Sequence, residues 1–491
     1  MQRNLIICFT TLLLMNLEAA GQSLHKKLFE SYEKYQEKTL AHQRLTHAEV
    51  QTILKKVEKN NQYTIKKLGE SVEGRSISMV SIGTGDMPIL LWSQMHGDEP
   101  TATLALADIF NFFSASGDAF DGYRKEVLGK LTLHFIPMLN PDGSDRFQRR
   151  NALDIDLNRD AARLQCPESQ ILKGTRDELH AVFGFNLHDQ SRFYSAGESN
   201  ENPAAISFLA PAFNYEKDIN DVRKRAMQVI GLLDDMLQEY APNKVAKYND
   251  DFEPRAFGDN IQKWGTSTIL VESGGYIGDP EKQYIRKLNY VLLLQSFRHI
   301  ADGSYKKESI KKYDKIPFND RSMHSVIVRN VSREMNGKKF LVDIATVHNE
   351  YHEEGERKAF RYRGQISEMG DLSVYHAYQE LEGKNMDAVE GKVYPTVIEN
   401  EDAFNQLDYK KLLSEGYTAV RVANWPKEKR YVDVPTNVLK GLNSSHGEID
   451  LNGRANFTLQ ENGKVKYAVV NGFLYDLSKS LEINEGNGEV Y

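Results

Sequence analysis

Apolar runs and amphipathic runs alternate along the chain from Tyr63 to about Ile300. The apolar runs predict buried strands at residues 76–82, 89–94, 131–138, 181–187 and 267–271. Apolar residues at helical spacing predict helices between them, at residues 102–113, 219–240 and 281–300. Strands interleaved with helices indicate an α/β domain, over residues 22–303, with a mixed, mostly parallel sheet flanked by helices.

The segments on either side of this domain have different patterns. Residues 24–60 are predicted to be helical, and Thr46 with Glu49 three positions later is the pattern of a capping box. The lysine-rich residues 306–318 are predicted to form a linker. Beyond them, apolar and polar residues alternate at 340–344, 418–422 and 465–470, between clusters of Gly, Asn and Asp. This pattern predicts a β-rich accessory region, residues 318–491, of one or two small domains.

The first 21 residues resemble a secretory signal peptide. Arg3 is followed by an apolar stretch over residues 5–15 and by the small residues 19–21. Residues 1–21 are therefore predicted to be removed, leaving a secreted or periplasmic protein; the alternative is a buried N-terminal helix. Neither this stretch nor any later one is expected to form a stable membrane span. Cys166 is then the single thiol of the mature chain and is expected to be packed.

Composition narrows the class of protein further. The 491 residues include 40% hydrophobic and 27% charged residues, which is typical of a soluble globular protein. The formal net charge is −7, which gives no overall attraction to nucleic acid. We therefore predict no nucleic-acid partner, and the composition leaves the oligomeric state open.

The most informative motif is His96-Gly97-Asp98-Glu99. It follows a predicted buried strand and precedes a predicted helix, and in α/β sheets the carboxyl ends of strands carry the ligand sites. An imidazole and a carboxylate three residues apart on such a turn suit a zinc ion, which takes nitrogen and oxygen ligands. The alternative is a polar surface loop.

Two further residues come at the ends of predicted buried strands. His188 ends the run over residues 181–187 and is the best candidate for a third metal ligand. Glu272 closes the run over residues 268–271, where a carboxylate is costly to bury without a partner or a task. Beside a metal-activated water it would act as general base and acid. Taken alone, His188 is better interpreted as a core or surface histidine, and Glu272 is equally consistent with an ordinary strand-end carboxylate.

A charged run lies between the two histidines. Residues 139–143, Leu-Asn-Pro-Asp-Gly, have the composition of a turn, and Arg149 to Asp160 follow. A planar guanidinium beside an amide, as this run contains, suits bidentate capture of a carboxylate. An arginine near a metal ion would also stabilise an oxyanion. The alternative is a solvated loop.

Taken together, these pieces resemble the zinc carboxypeptidases, the carboxypeptidase A-like metallopeptidases, over about residues 45–300. The ordered set is residues 69–75 (Gly-Glu-Ser-Val-Glu-Gly-Arg), His96-x-x-Glu99, residues 140–143 (Asn-Pro-Asp-Gly), residues 156–159 (Asp-Leu-Asn-Arg), His188 and Glu272. The resemblance implies a carboxypeptidase-like fold and a single zinc ion.

The resemblance also implies a role for each matching residue. His96, Glu99 and His188 would bind zinc, and Glu272 would be the general base and acid. Arg149 would polarise the scissile carbonyl, with Arg150 as its rival. Asn158 and Arg159 would bind the terminal carboxylate of the substrate, which makes the enzyme an exopeptidase.

Two positions depart from the family pattern. Asp160 follows the Asn-Arg pair where many members carry a second Asn. The substrate-capping tyrosine has no clear counterpart, because Tyr248 is at a plausible distance from Glu272 but in different surroundings. Arg255 is a further candidate for the substrate pocket.

The sequence therefore predicts a secreted zinc metallocarboxypeptidase. In this interpretation zinc-bound water, assisted by Glu272, attacks the C-terminal bond of a peptide with a free carboxylate. One alternative is the same zinc chemistry on cell-wall peptides or acyl amino acids. A second is a non-catalytic binding protein with the same fold. The side-chain preference of the pocket stays open.

Overall fold

The computed structural model describes residues 23–198, 200–351, 361–440, 446–481 and 488–491. The predicted signal peptide lies outside the described residues. The chain divides into two compact units, one built from residues up to 192 and from 202–319, the other from 193–201 and 320–491. Among the described residues, the helices are too short or too polar to cross a bilayer.

The first unit contains an eight-stranded sheet in the order β1-β2-β4-β3-β5-β8-β6-β7. Its central strands β4, β3, β5 and β8 are parallel, while β1, β2 and β6 pair antiparallel with neighbours. The predicted α/β class with a mixed, mostly parallel sheet is thus confirmed. The strands are β1 Tyr63–Glu70, β2 Ser76–Ile82, β3 Met87–Ser93, β4 Leu131–Ile136, β5 Phe183–Asp189, β6 Ile206–Leu209, β7 Val245–Lys247 and β8 Ser267–Ser273.

Helices cover both faces of this sheet. The capping box predicted at Thr46 and Glu49 is present, but residues 36–46 are not helical, so the predicted N-terminal helical segment is three separate helices. The helices are α1 Leu24–Glu30, α2 Tyr32–Tyr35, α3 His47–Val57, α4 Thr101–Ser114, α5 Asp121–Lys130, α6 Pro141–Arg146, α7 Pro167–Leu179, α8 Asp221–Leu237, α9 Phe257–Lys263, α10 Gln283–Asp302 and α11 Lys311–Lys315.

Two local predictions are wrong. The Leu-Asn-Pro-Asp-Gly segment is not a simple turn, because Asn140 caps α6 and Pro141 occupies its first turn. The lysine-rich residues 306–318 are not a bare linker. A 3₁₀ turn at Ser304–Lys307 and helix α11 occupy this segment, and Tyr313 and Ile316 are buried in the main core. The lysines are solvated while the apolar residues among them anchor the segment.

The second unit is largely β-structure, as predicted. One sheet has the order β11-β10-β9-β13-β19-β20-β21, with β12 alongside β9. Its core contains aliphatic and aromatic residues such as Val328, Ile344, Phe457 and Val469. The strands are β9 Met323–Met335, β10 Lys338–Tyr351, β11 Arg361–Gly370, β12 His376–Glu382, β13 Asp387–Glu390, β19 Phe457–Glu461, β20 Lys464–Val470 and β21 Phe473–Asp476.

The same unit also contains a small α/β portion that the alternating pattern did not predict. Strands β14 Lys392–Val393, β15 Ile398–Asn400 and β18 Asn437–Leu439 all pair in parallel with β16 Tyr417–Asn424. Two short helices, α12 Glu401–Asn405 and α13 Tyr409–Ser414, pack beside it. Strands β17 Tyr431–Val432 and β22 Gly488–Glu489 form a further antiparallel pair.

A buried ion pair links helices α4 and α10 in the first unit. Both side chains of Asp108 and Arg286 are 0% exposed. The Arg286 guanidinium donates to both Asp108 oxygens and to the backbone carbonyls of Glu37 and Leu40. The ion pair therefore fastens the N-terminal segment to the helices that cover one face of the sheet.

We expect Asp108→Ala to lower the free energy of unfolding by about 3–5 kcal/mol, because it leaves the Arg286 guanidinium buried without its counter-charge. Urea denaturation of both proteins measures the difference. The matched control is Glu178→Ala, which removes the exposed ion pair with Lys66 and should change stability by less than about 1 kcal/mol. Equal effects of the two substitutions would contradict this account.

Candidate metal centre

His96 and Glu99 lie on the loop between β3 and α4. The loop leaves the strand at Gln94, whose φ of 47° turns the backbone away from the sheet. Gly97 packs directly on the backbone of Gly143 in α6, where an added Cβ would lie 2.0 Å from the Gly143 carbonyl carbon. A residue with a side chain would thus displace the loop, so Gly97 fixes the height of the histidine and the glutamate above the sheet.

The two histidines and Glu99 converge on one point. His96 Nδ1 lies 2.8 Å from Glu99 Oε1, and His188 Nδ1 lies 2.7 Å from Glu99 Oε2. The imidazole ring centroids are 4.8 Å apart. All three residues are buried, and their ligand atoms lie within 4.8 Å of one another. The structure thus brings together the three ligands named from the sequence.

The donor set and its charge fit a zinc ion. Two imidazole nitrogens and a carboxylate oxygen are the ligand types of catalytic zinc sites. Burial alone would lower the pKa of His96, but the carboxylates of Glu99 and Asp156 raise it to about 9. The surroundings therefore favour positive charge at this point, which a divalent cation supplies as it displaces the imidazole proton.

Residues 50–202 match the family model described as Zinc carboxypeptidase. This range contains His96, Glu99, Arg149, Asn158 and His188, and the resemblance noted from the sequence is confirmed over it.

Several carboxypeptidases are similar to parts of the chain. Carboxypeptidase SOL1 of Arabidopsis thaliana is 32% identical over 106 residues, which are 19% of this chain and 20% of that protein. Carboxypeptidase 2 of Trichophyton tonsurans is 27% identical over 133 residues, 26% of this chain and 23% of that protein. The chain thus spans less than half the length of the curated relatives it matches.

Among solved structures, a metallo-carboxypeptidase from Burkholderia cenocepacia matches 52% of this chain and 69% of its own, with 17% identity and a TM-score of 0.42. The carboxypeptidase A of Helicoverpa armigera matches 53% of this chain and 74% of its own, with 16% identity and a TM-score of 0.42.

The segment that matches the family model also contains a second carboxylate against His96. Asp156 Oδ1 lies 3.1 Å from His96 Nε2, on the opposite side of the ring from Glu99. A carboxylate in this position fixes the orientation of a ligand histidine and raises its basicity. The sequence reasoning assigned no role to Asp156. A signal was available, because Asp156 stands next to the apolar Ile155 and Leu157 within an otherwise charged run.

Arg149 and Arg150 have different surroundings. Arg149 Nη1 lies 3.2 Å from Glu99 Oε1, and its Nε donates to Asp156 Oδ2 at 3.0 Å. Arg150 instead donates to the backbone carbonyl of Asp154 at 2.8 Å and is exposed. The Arg149 guanidinium is thus held at the metal centre while remaining 43% exposed, open to a ligand.

The residues named for substrate binding lie in two segments, Asn158 and Arg159 in a 3₁₀ turn at Leu157–Arg159 and Arg255 just before α9. Asn158 Oδ1 accepts from the backbone N–H of Phe257 at 2.9 Å. Arg159 Nε lies 3.4 Å from Glu253 Oε2, and Arg255 donates to the same carboxylate at 2.9 Å. The structure therefore brings Arg159 and Arg255 together at Glu253, while the Asn158 side chain bonds to the backbone at the start of α9.

The capping tyrosine stays without a clear counterpart. Tyr248 follows β7, the edge strand, and its backbone N–H donates to the carbonyl of Phe208. Strand β6 separates β7 from β8, the strand that carries Glu272. Its role as the capping tyrosine stays a prediction.

Glu272 lies directly beside His188 in the sheet. The two residues are register partners on the parallel strands β5 and β8, so their side chains leave the same face. Burial and the neighbouring Glu99 carboxylate raise the pKa of Glu272 well above its usual range. A carboxyl group with a raised pKa is suited to exchange a proton near neutral pH.

Asn186 was not identified from the sequence. It lies two residues before His188 on the same face of β5, is 0% exposed, and its amide oxygen and nitrogen have no hydrogen-bond partner among the described residues. Gly258 at the start of α9 packs against this amide. The one available signal was a polar residue inside an otherwise apolar strand. Cys166 is buried, as expected from the sequence, and burial raises its pKa to about 12.

We expect Asp156→Asn to weaken zinc binding by about 10–100-fold, because the neutral amide orients and polarises His96 less well. Competition with a chromophoric chelator measures the dissociation constant. Asp154→Asn is the matched control, because Asp154 is exposed and its left-handed φ of 57° tolerates Asn. Unchanged zinc affinity in Asp156→Asn would show that this carboxylate has no part in the centre.

Proposed function

We propose that the protein is a zinc metallocarboxypeptidase that removes C-terminal residues from peptides with a free carboxylate. The observation that carries the proposal is the buried convergence of His96, Glu99 and His188, with Glu272 on the adjacent strand. The match of residues 50–202 to the zinc carboxypeptidase family supports the same reaction class.

Glu272 is placed to move the proton in this reaction. A zinc ion held by the two imidazoles and Glu99 would supply a Lewis acid that polarises a carbonyl and lowers the pKa of a water molecule. Glu272 projects from the same face of the sheet as His188 and would take the proton of the attacking water. Its raised pKa makes the Glu272 carboxylate a stronger base for that step, and the protonated carboxyl group would then deliver the proton to the leaving amine.

Arg149 would stabilise the negative charge that develops on the scissile carbonyl. Its guanidinium is oriented by Glu99 and Asp156 and remains partly exposed. A donor fixed in this way before the reaction needs little reorganisation in the transition state.

Arg159, with Asn158 beside it, would bind the terminal carboxylate of the substrate. A guanidinium forms paired hydrogen bonds with a carboxylate, and a neutral amide terminus cannot supply the charge. This residue therefore restricts the reaction to the last peptide bond. We also propose that the mature protein acts after export, in a secreted or periplasmic location.

We expect the protein to release C-terminal residues from peptides with free carboxylates and to leave their C-terminally amidated counterparts intact. Mass spectrometry of a mixed pool containing both forms of each peptide measures this directly. Glu272→Gln should abolish release while retaining zinc, because the amide keeps the shape but cannot accept the proton.

Other outcomes of the same experiment separate the alternatives. Equal cleavage of free and amidated peptides would remove Arg159 from its proposed role. Cleavage confined to cell-wall peptides with D-residues, or to acyl amino acids, would favour the amidohydrolase alternative. The absence of any hydrolysis by the zinc-loaded protein would favour a binding function and overturn the proposal.

We expect Arg149→Met to lower kcat by about 10²–10³-fold with little change in KM, because the lost donor acts mainly on the transition state. Steady-state kinetics at saturating zinc measure both constants. The control is Arg150→Met, because the side chain of this neighbouring arginine donates to the backbone carbonyl of Asp154. Loss of activity in Arg150→Met with a normal Arg149→Met would reverse the assignment of the two residues.

A further inference from the structure

A second buried ion pair lies beside the metal centre, in the first unit. Lys282 Nζ lies 3.0 Å from Asp189 Oδ2 and donates to the backbone carbonyl of Ser273, also at 3.0 Å. The side chains of Lys282 and Asp189 are 12% and 5% exposed. Burying two charges costs desolvation free energy, so such a pair adds little net stability by itself. Its effect on the protein is then the geometry that it imposes on the residues around it.

The partners of Lys282 are the immediate neighbours of two site residues. Asp189 follows His188, and Ser273 follows Glu272. The last two register pairs of β5 and β8 join these four residues, His188 with Glu272 and Asp189 with Ser273. One ammonium therefore connects the ends of the strand that carries a metal ligand and the strand that carries the proposed base.

Asp189 also connects this ion pair to Glu99, the third of the candidate metal ligands. Its carboxylate accepts from Thr101 Oγ1 at 2.5 Å, and Thr101 begins helix α4 just after the metal-site loop. The backbone N–H of Asp189 donates to Glu99 Oε2 at 3.2 Å. The ion pair thus contacts residues next to Glu99, His188 and Glu272.

The backbone conformation at Lys282 does not favour a lysine, so the contacts of the side chain explain why a lysine occupies this position. Lys282 precedes helix α10 with φ 49° and ψ 28°, in the left-handed region. Glycine adopts this conformation without strain, whereas a long side chain does not. A lysine at this position gains its contacts at the expense of a less favourable backbone.

We propose that Lys282 is a positioning residue of the metal centre. By holding the Asp189 carboxylate and the Ser273 carbonyl together, its ammonium fixes the separation of His188 and Glu272 across the strand pair. The expected effect of Lys282 on kcat rests on the proposed function. The expected effect of Lys282 on metal affinity does not.

The test uses the full mature chain with Lys282→Gly and Lys282→Met. The glycine variant suits the left-handed backbone and so remains folded, which thermal unfolding checks. The methionine variant retains the length of the side chain without its charge. Lys217→Gly is the matched control, because Lys217 is also a left-handed lysine with ion pairs to aspartates, on the exposed loop before helix α8.

Three quantities are measured for each variant. These are the zinc dissociation constant by chelator competition, the visible absorption of the cobalt-substituted protein, which reports ligand geometry, and kcat and KM on a peptide. We expect both Lys282 variants to bind zinc about tenfold more weakly and to show an altered cobalt spectrum. We expect kcat to fall about 100-fold with KM nearly constant, because a small misplacement of the base is costly.

Lys282→Arg separates positioning from general stability. It retains the positive charge and should recover part of the cobalt spectrum and of kcat. A folded Lys282→Gly with wild-type zinc affinity, spectrum and kcat would overturn the inference. If the unmodified protein hydrolyses no peptide, the proposed function fails, and zinc affinity with the cobalt spectrum still decides the role of Lys282.

Discussion

The site depends on one electrostatic constraint, the excess of carboxylates at the carboxyl edge of the central strands. Asp98, Glu99, Asp156, Asp189 and Glu272 all lie there, and burial together with Glu99 raises the pKa of Asp98 to about 6. Buried carboxylates are unfavourable unless positive charge is near. Arginine and lysine side chains supply part of that charge at the rim. A cation held by the two imidazoles and Glu99 would supply more, and would thus complement the charge of the fold at this edge.

The sheet topology explains how residues far apart in the sequence meet this constraint. Strands β3, β5 and β8 are adjacent and parallel, so the residues at their carboxyl ends gather at one edge. The register sets His188 beside Glu272, and a slip of one residue in β5 would turn His188 to the opposite face. The buried ion pair of Lys282 and Asp189 lies at the end of this strand pair, where the Ser273 carbonyl accepts both from the backbone N–H of Gln190 and from the Lys282 ammonium. There, a side chain adds to the main-chain hydrogen bonds that hold the strand ends.

The sequence predicted those parts of the structure that depend on local pattern. The central strands are mostly apolar and largely buried, so their ends, and hence His96, His188 and Glu272, were recognisable. The contact of Asp156 with His96 and that of Lys282 with Asp189 join residues 60 and 93 positions apart, and periodicity carries no information on such pairs. The helices α6, α12 and α13 have five or six residues, too few for a helical period to appear. At α6, Asn140 and Pro141 nevertheless carried the signature of a helix start.

The cluster around Glu253 bears on how a terminal carboxylate would be recognised. Arg159 and Arg255 share the Glu253 carboxylate, which keeps both guanidinium groups near the start of α9 before any ligand binds. A substrate carboxylate that bonded to Arg159 would replace part of the interaction with Glu253. The Arg159 guanidinium would then exchange one carboxylate partner for another and keep a counter-charge. A neutral C-terminal amide offers no such exchange, because it would leave Arg159 with its existing partner and gain little. Selection for a charged terminus would then follow from the competition with Glu253 as much as from the attraction of Arg159.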